Sequence, residues 1–358
     1  MAADGTIVEV FAGRQRTPLS DDVTVHAPFP FVTGRLPWPR IETVALRRLE
    51  SQFRAVLARA DPGTTVAHFW PGTPAHLIVE AHSRGLLTVR EMINSALATS
   101  GPILDAAYAR LGLPPTHTVT SDAIAGESAE LELYDYFFAS NPEVERSLLA
   151  LGLSSDQLLS TTFGWSPERF EGAKSTEAAG TFRLIFVGRI GVRKGVPELL
   201  EAWRSIDVDG ELLLVGTVDE EIRQLVESHT RSGRVRLSGY VNNPAELYAR
   251  ASVFVFPTWE EGGPQVTYEA AAAGLPIITT PMGAARLVED GRTGIIVDSG
   301  SPGQIAAAIR ALAADAQTRR AYGAAAQAAS REFTYPRVGA QRAALLRRTL
   351  RSHRGNSL

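Results

Sequence analysis

Two pairs of charged residues in the second half of the chain have types and spacing that could bind an anionic ligand. Arg189 and Lys194 follow the apolar run "FRLIFVG" and precede a helical pattern. Arginine binds phosphate oxygens bidentately and lysine acts as a point charge, so the two cations predict an anion site at a strand end. Farther on, Glu261 and Glu269 are eight residues apart around a Gly-Gly-Pro turn. We expect these carboxylates to bracket a ligand, although an ordinary solvated loop and capping or locally paired glutamates would fit the same pattern.

The turn between the two glutamates is suited to a ligand at the start of a helix. Pro264 fits the first helical position, and Gly274 fits the C-terminal cap. The backbone N–H groups of Gln265 and Val266 would then be unpaired, where the helix dipole stabilises a phosphate. Gly262 and Gly263 carry no side chain and would let a ligand come close.

Short apolar runs alternate with longer helical patterns along most of the chain, which is typical of an α/β protein. In the first half, 65–70 and 86–89 are predicted to be buried strands, and the polar stretch 164–180 is predicted to be a domain linker. In the second half, strand and helix alternate regularly up to "TGIIVD". That order predicts a doubly wound sheet, whose ligands bind beyond the carboxyl ends of the strands.

Composition excludes several classes of protein. The 358 residues are enough for two domains, and 44% hydrophobic with 21% charged residues indicates a folded globular chain. The absence of cysteine excludes disulfides, thiolate catalysis and Cys-based metal sites, and it fits a cytoplasmic location. A net charge of −3 argues against nucleic-acid binding. We predict no signal peptide and no transmembrane segment. The last helix is basic and amphipathic, and we interpret its charged side as a solvent-exposed face in preference to a surface that binds an anionic membrane.

Other charged or aromatic residues are less informative. Asp207 and Asp209 form a D-x-D sequence, but "DG" punctuation favours a surface turn over a metal site. His68, His76 and His82 lack the spacing of metal ligands on one helix, so we predict no metal site. His68, near the end of an apolar strand, could face a cleft or be a hydrogen-bonded core histidine.

Two segments together resemble a known enzyme family. "VGRIGVRKG" and "PTWEEGGPQVTYEAAAAGLPIITT" resemble motifs of the family-four glycosyltransferases (group 1 glycosyl transferases), retaining sugar-nucleotide enzymes of the GT-B fold. The acidic motif of that family is matched at Glu261, Glu269, Gly274 and Pro276. The resemblance implies two Rossmann-like doubly wound domains that face a cleft, with a C-terminal helix crossing back to the first domain.

The resemblance also implies roles for individual residues. Arg189 and Lys194 would hold the donor diphosphate and neutralise the leaving group. Glu269 would bind the ribose hydroxyls, and Glu261 the hydroxyls of the transferred sugar, with covalent catalysis by Glu261 as a minority alternative. Tyr240 and Val241 would lie near the nucleotide base, and the backbone of Gly263–Val266 would contact phosphate and sugar. Further donor contacts are expected from Gly188, Gly262, Gly263, Pro264, Gln265 and Val266.

The first half departs from the family pattern. Its opening residues lack the usual Gly-Gly loop and leave no room for the long helix that follows, so the first βα unit is shortened or rebuilt. Relatives carry a histidine or an acid after the strand that corresponds to "LLTV", where this chain has Arg90, Glu91 and Asn94. These three residues and His68 are the candidates for the acceptor side. The usual aromatic residue after the acidic-glycine pair is replaced by Gly263.

We therefore predict an acceptor-binding domain at 1–168, a donor-binding domain at 169–336 and a returning helix at 337–358. The expected function is transfer of a sugar, with retention and without a metal or other cofactor, from a nucleotide-diphosphate sugar. UDP is the default nucleotide, and the acceptor is a small molecule, a glycan or a lipid-linked alcohol. Peripheral membrane contact stays open. Two alternatives remain: a GT-B sugar-nucleotide epimerase, and a catalytically silent GT-B subunit that binds or activates a partner.

Overall fold

The computed structural model describes residues 5–12, 23–29, 38–170 and 182–355. The strands in this part of the chain are β1 (Val8–Phe11), β2 (Val23–His26), β3 (Val66–Phe69), β4 (Leu87–Met92), β5 (Tyr136–Ala139), β6 (Leu158–Ser160), β7 (Phe182–Val187), β8 (Gly210–Val215), β9 (Val235–Gly239), β10 (Val253–Phe256), β11 (Ile277–Thr279) and β12 (Gly294–Ile296).

The α-helices vary widely in length. They are α1 (Trp38–Leu57), α2 (Ala75–Ser83), α3 (Leu97–Arg110), α4 (Ser121–Leu131), α5 (Pro142–Ala150), α6 (Val196–Arg204), α7 (Arg223–Thr230), α8 (Ala245–Ala249), α9 (Gln265–Ala272), α10 (Pro281–Ala284), α11 (Pro302–Ala314), α12 (Ala316–Ser330) and α13 (Tyr335–Gly355). No helix within the described ranges is long and apolar enough to cross a membrane.

The chain separates into two compact units. Among the described residues, unit 1 contains those up to 91, 129–138 and those from 339 onward, whereas unit 2 contains 92–128 and 139–338. The residues of α13 from Gly339 onward therefore belong to unit 1, and the predicted returning helix at 337–358 stays a prediction. The predicted boundary at 168/169 is untested and stays a prediction.

Unit 2 is built around a six-stranded sheet in the order β12-β11-β10-β7-β8-β9. Its paired strands are parallel, and β10 lies beside β7, with Val253 opposite Leu184. The central strands are apolar because helices cover both faces of such a sheet. Since β7 and β10 are neighbours, the loops after them emerge at the same edge, which is where the predicted charged pairs lie.

Two further groups of strands are described. β1 and β2 form a parallel pair in register Val8–Val23. A four-stranded sheet has the order β3-β4-β5-β6, in which β3 and β4 are parallel. The predicted linker 164–180 is only partly described: Trp165 forms a β-bridge with Thr334, Pro167–Phe170 is a 3₁₀ turn, and 171–181 lie outside the described residues.

Candidate functional site

The loops after β7 and β10 come into direct contact. Val192–Lys194 forms a 3₁₀ turn, and Gly195 follows it with φ 68°. A Cβ at Gly195 would lie 2.0 Å from the carbonyl oxygen of Pro257. Only glycine satisfies both the left-handed backbone and this close approach. Gly195 thereby fixes the distance between the two loops, and with it the distance between Lys194 and the acidic loop.

Lys194 and Glu261 form an ion pair, although 67 residues separate them in the sequence. Each side chain is 15% exposed. Burial lowers the pKa of Lys194, and the neighbouring Glu261 carboxylate opposes that shift. The ammonium also lies 5.7 Å from the ring centroid of Phe256. The residue predicted to hold the diphosphate and the residue predicted to bind the transferred sugar are therefore in contact, with a positive and a negative group side by side.

Arg189 lies at the surface of unit 2 and pairs with Asp219, which the sequence analysis did not identify. Its side chain is 75% exposed. Burial raises the pKa of Asp219, and the guanidinium of Arg189 opposes the rise. Gly188 precedes Arg189 with φ 146° and ends β7. An exposed guanidinium at a strand end can turn toward an incoming anion by exchanging one carboxylate partner for another acceptor.

Glu269 lies in α9 and is 6% exposed. Its Oε1 accepts a hydrogen bond from Arg169 Nη1 at 3.0 Å, and its Oε2 accepts one from the Tyr248 hydroxyl at 3.4 Å. Burial raises the pKa of Glu269, whereas the charge of Arg169 and the Tyr248 hydrogen bond oppose the rise. The carboxylate is thus held in one orientation by two donors.

The start of α9 differs in one respect from the prediction. The helix begins at Gln265, and Pro264 is the residue before it (φ −73°, ψ 89°) rather than the first helical residue. No side chain caps this end, so the prediction of a helix N-terminus without a side-chain cap is retained. Gln265 Oε1 accepts a hydrogen bond from the Tyr335 hydroxyl at 2.8 Å, and Val266 is partly buried. Gly274 has φ 80° just after the helix, as expected of a C-terminal glycine.

The two glycines of the turn are packed against protein rather than left open. A Cβ at Gly262 would lie 1.9 Å from the carbonyl oxygen of Ile93, and one at Gly263 would lie 1.9 Å from the ring of Phe163. The direction in which a side chain would point is thus filled by protein, and the expected approach of a ligand to these glycines stays a prediction. Their small size lets the acidic loop pack against the segment after β4 and against Phe163.

The residues predicted near the nucleotide base follow β9. Tyr240 is 74% exposed, and Val241 is partly buried. An exposed aromatic ring beside a site is a suitable surface for stacking a planar base.

The acceptor-side candidates in unit 1 form buried ion pairs. Arg342 donates to both Glu91 oxygens at 2.8 and 2.9 Å, and His68 Nε2 lies 2.9 Å from Glu91 Oε2. Burial alone would raise the pKa of Glu91, but His68 and Arg342 together hold it below its usual value. Arg90 pairs with Glu130 at 3.0 Å. Of the three acceptor-side candidates in unit 1, His68 is the most exposed, at 24% of its side chain, against 3% for Arg90 and 0% for Glu91.

The residue pairs that sequence reasoning missed centre on Glu260, which is 1% exposed. Its Oε1 accepts from the Ser95 backbone N–H at 3.1 Å and from the Ser95 hydroxyl at 2.9 Å, and its Oε2 lies 2.6 Å from Arg193 Nη2. Arg193 also donates to Asn94 Oδ1 at 2.7 Å. Asn94, predicted on the acceptor side, thus lies in unit 2 and contacts the loop that carries Lys194.

Outside the charged pairs of the site, Glu198 in α6 is fully buried, and neither of its oxygens makes a hydrogen bond of ordinary geometry with a described residue. Arg110 Nη1 lies 3.5 Å from Glu198 Oε1, whereas Nη2 of the same arginine pairs more closely with Glu201, at 2.7 Å. Burial raises the pKa of Glu198, against the weaker opposing effects of its own backbone N–H, Arg110 and the indole N–H of Trp259. Glu198 therefore stabilises the fold when protonated, and this contribution is lost as the pH rises through its raised folded-state pKa.

Replacing Glu198 by glutamine should raise the free energy of unfolding at pH 7.5 by about 1–3 kcal/mol, because the amide carries no charge to desolvate. The gain should shrink as the pH falls from the raised folded-state pKa of Glu198 toward the usual pKa of a glutamate, because the buried wild-type carboxyl becomes neutral in this range. Denaturant unfolding between pH 4 and 8 measures this. Glu201→Gln, at the exposed partner of the same arginine, is the control and should show no such gain. Lower stability of Glu198→Gln at pH 7.5 would show that the Arg110 pair outweighs the burial cost.

The described residues contain no cluster of three or more histidine or acidic side chains able to hold a metal. Asp207 and Asp209 lie in the irregular segment between α6 and β8. The predicted metal-free site stays a prediction.

Part of the second half of the chain matches a known protein family. Residues 181–315 match the family model described as glycosyl transferases group 1. Over 193 residues the chain is 33% identical to the capsular polysaccharide biosynthesis glycosyltransferase CapM of Staphylococcus aureus, a match that covers 51% of this chain and 50% of CapM. The chain spans about half the length of the curated relatives it matches first. The family resemblance predicted from the sequence is confirmed for this region.

Solved structures establish the fold over nearly the whole chain. Sucrose-phosphate synthase from Thermosynechococcus elongatus superposes with a TM-score of 0.74 at 20% identity, over 98% of this chain and 91% of that one. HepE of Anabaena, solved in complex with UDP and glucose, superposes with a TM-score of 0.65 at 17% identity, over 90% and 85% of the two chains. The predicted two-domain α/β GT-B fold is confirmed.

Proposed function

We propose that this chain, whose residues 181–315 belong to the group 1 glycosyl transferases, moves a sugar from a nucleoside-diphosphate sugar to an acceptor hydroxyl. The observation that carries the proposal is the contact of Lys194 with Glu261 across the loops after β7 and β10. An ammonium can neutralise a departing diphosphate, and a carboxylate beside it can accept hydrogen bonds from the sugar being transferred. The family match of this region and the UDP and glucose bound by HepE support the same assignment.

The remaining donor residues have compatible roles. Arg189 supplies a second, exposed cation for the diphosphate, and Glu269 supplies a fixed carboxylate for the ribose diol. With two cations at the loop after β7, the reaction as proposed requires no metal. UDP is the proposed nucleotide, by analogy with HepE.

The proposed reaction retains the anomeric configuration. No residue is assigned as a covalent nucleophile, so the acceptor would attack the same face of an oxocarbenium-like centre that the diphosphate leaves, assisted by the leaving phosphate. The acceptor is an alcohol on a small molecule, a glycan or a lipid-linked sugar. A cytoplasmic location remains a prediction.

The first experiment is a calorimetric binding panel of UDP, GDP, ADP and TDP. Wild type should bind one of them with a Kd in the micromolar range, whereas Lys194→Ala and Glu269→Ala should each bind at least about tenfold more weakly, because each loses a charge-assisted contact. If wild type binds none of the four, or if both variants bind like wild type, the assignment of the donor site is wrong.

A second experiment separates the chemistry from its alternatives. The donor sugar that corresponds to the best nucleotide is incubated with and without acceptor alcohols, with and without EDTA, and the anomeric proton of the product is followed by NMR. Acceptor-dependent release of the nucleoside diphosphate, unchanged by EDTA and giving the donor anomer, is the expected result. Conversion of the donor without acceptor would indicate an epimerase, and binding without turnover would indicate a silent subunit.

A further inference from the structure

Arg169 connects two parts of the donor site that are far apart in the sequence. Its Nη1 donates to Glu269 Oε1 at 3.0 Å, and its Nη2 donates to the carbonyl oxygen of Asn242 at 2.9 Å. In return, the amide nitrogen of the Asn243 side chain donates to the carbonyl oxygen of Arg169 at 3.0 Å. One guanidinium therefore joins the carboxylate proposed to bind the ribose to the loop after β9, where we place the base.

The turn that carries Arg169 is itself held in place. The ring of Phe170 stacks on Tyr248, with centroids 6.1 Å apart, and Trp165 packs edge-on against Phe170 at 5.5 Å. The indole N–H of Trp165 donates to the carbonyl oxygen of Ser330 at 2.8 Å. These contacts fix the backbone beside Arg169, so its side chain reaches Glu269 from an anchored position.

The groups that face Glu269 differ in charge. Arg169 approaches Glu269 from the turn, and Tyr248 approaches it from α8. Tyr335, at the start of α13, has a pKa raised by its own burial and then by the charge of Glu269. Among these three, Arg169 is the one with a positive charge. Burial raises the pKa of Glu269, and Arg169 is the stronger of the two influences that oppose the rise.

We propose that Arg169 is a positioning residue for the donor, which keeps the Glu269 carboxylate charged and oriented to accept hydrogen bonds from the ribose hydroxyls. A carboxylate has about four acceptor positions on its two oxygens. Arg169 and Tyr248 occupy one position on each oxygen, so one on each remains for a vicinal diol. This inference rests on the proposed function, because it assigns Glu269 to a nucleotide.

The test is the pH dependence of nucleotide affinity. Binding of UDP, or of whichever diphosphate binds best in the panel, is measured by calorimetry from pH 5 to 8 for wild type and Arg169→Ala. At pH 7.5 we expect Arg169→Ala to bind at least about tenfold more weakly, because Glu269 is then no longer held charged and oriented toward the ribose hydroxyls. Without the nearby cation, Glu269 takes up a proton at higher pH. The pH at which half of the nucleotide affinity is lost on acidification should therefore be about one pH unit or more higher for Arg169→Ala than for wild type.

Three variants make the test specific. Arg223→Ala removes a half-exposed arginine from a surface pair with Glu220 and should bind like wild type. Arg169→Lys keeps the positive charge, so the pH at which half of the nucleotide affinity is lost should return toward the wild-type value. In a Glu269→Gln background, Arg169→Ala should cause no further change in pH dependence, since an amide does not titrate.

The outcomes separate this inference from the proposed function. If wild type binds no nucleoside diphosphate, the proposed function fails. If wild type binds and Arg169→Ala has the same affinity and pH profile, Arg169 has no positioning role. An equal loss of affinity at every pH would also overturn the inference, because it would indicate a merely structural contact. Melting temperatures establish whether Arg169→Ala is folded, and if it is not, Arg169→Gln, which removes the charge but keeps a hydrogen-bond donor, takes its place in the same comparison.

Discussion

Replacing Lys194 by alanine should lower kcat for sugar transfer about 100- to 1,000-fold, the usual effect of removing one preorganised group that stabilises charge in a transition state. The ammonium is held by Glu261 and is 15% exposed, so little reorganisation is needed when negative charge develops on the departing diphosphate. Steady-state kinetics with the best donor and acceptor measure the effect. A smaller rise in KM for the donor should accompany it, because the diphosphate is bound by Lys194 in the ground state as well.

Two further variants show whether the loss is specific to Lys194. Lys194→Arg restores the charge in a planar group and should recover part of kcat. Arg223→Ala, at the surface pair with Glu220, should leave both constants unchanged. Retention of more than a tenth of the wild-type kcat by folded Lys194→Ala, with KM for the donor unaltered, would place the diphosphate elsewhere.

The regular second half could be predicted closely from the sequence, because buried parallel strands have a pattern of their own. "FRLIFVG" and "VFVFPT" are near-continuous apolar runs bounded by glycine or proline, and they form β7 and β10. That β7 and β10 are neighbours, which brings Lys194 and Glu261 to the same sheet edge, comes from the structure, and only the doubly wound sheet followed from the sequence. The reason for the glycines did not, because only the fold brings Ile93 and Phe163 against Gly262 and Gly263.

Contacts between distant segments were beyond sequence reasoning. Arg169 lies 100 residues before Glu269, in a stretch whose polar composition is typical of a linker. Glu260 and Glu261 are adjacent glutamates, and no local pattern states which one turns inward. A buried carboxylate can be stable only with donors, and its donors, Ser95 and Arg193, come from loops far away in the sequence.

Replacing Glu260 by alanine should lower the free energy of unfolding by about 3 kcal/mol, since removing one partner of a buried ion pair leaves the others without compensation. The Ser95 N–H and hydroxyl would lose their acceptor, and Arg193 would lose the carboxylate at 2.6 Å. Because Arg193 adjoins Lys194 and binds Asn94, the same change should loosen the loop after β7. Denaturant unfolding measures the stability loss, and the binding panel measures the accompanying loss of nucleotide affinity.

The position of Glu260 distinguishes this effect from the loss of a surface charge. Glu289→Ala removes a glutamate that is 60% exposed and paired with Arg292 one turn away, and it should change stability by less than about 1 kcal/mol. Glu260→Gln keeps the shape and one acceptor oxygen for Ser95, so its stability should fall between those of Glu260→Ala and wild type. If Glu260→Ala were as stable as Glu289→Ala, the connection from Ser95 through Glu260 to Arg193 would contribute nothing to holding Lys194 beside Glu261, and the close packing at Gly195 and Gly262 alone would have to position the donor loops.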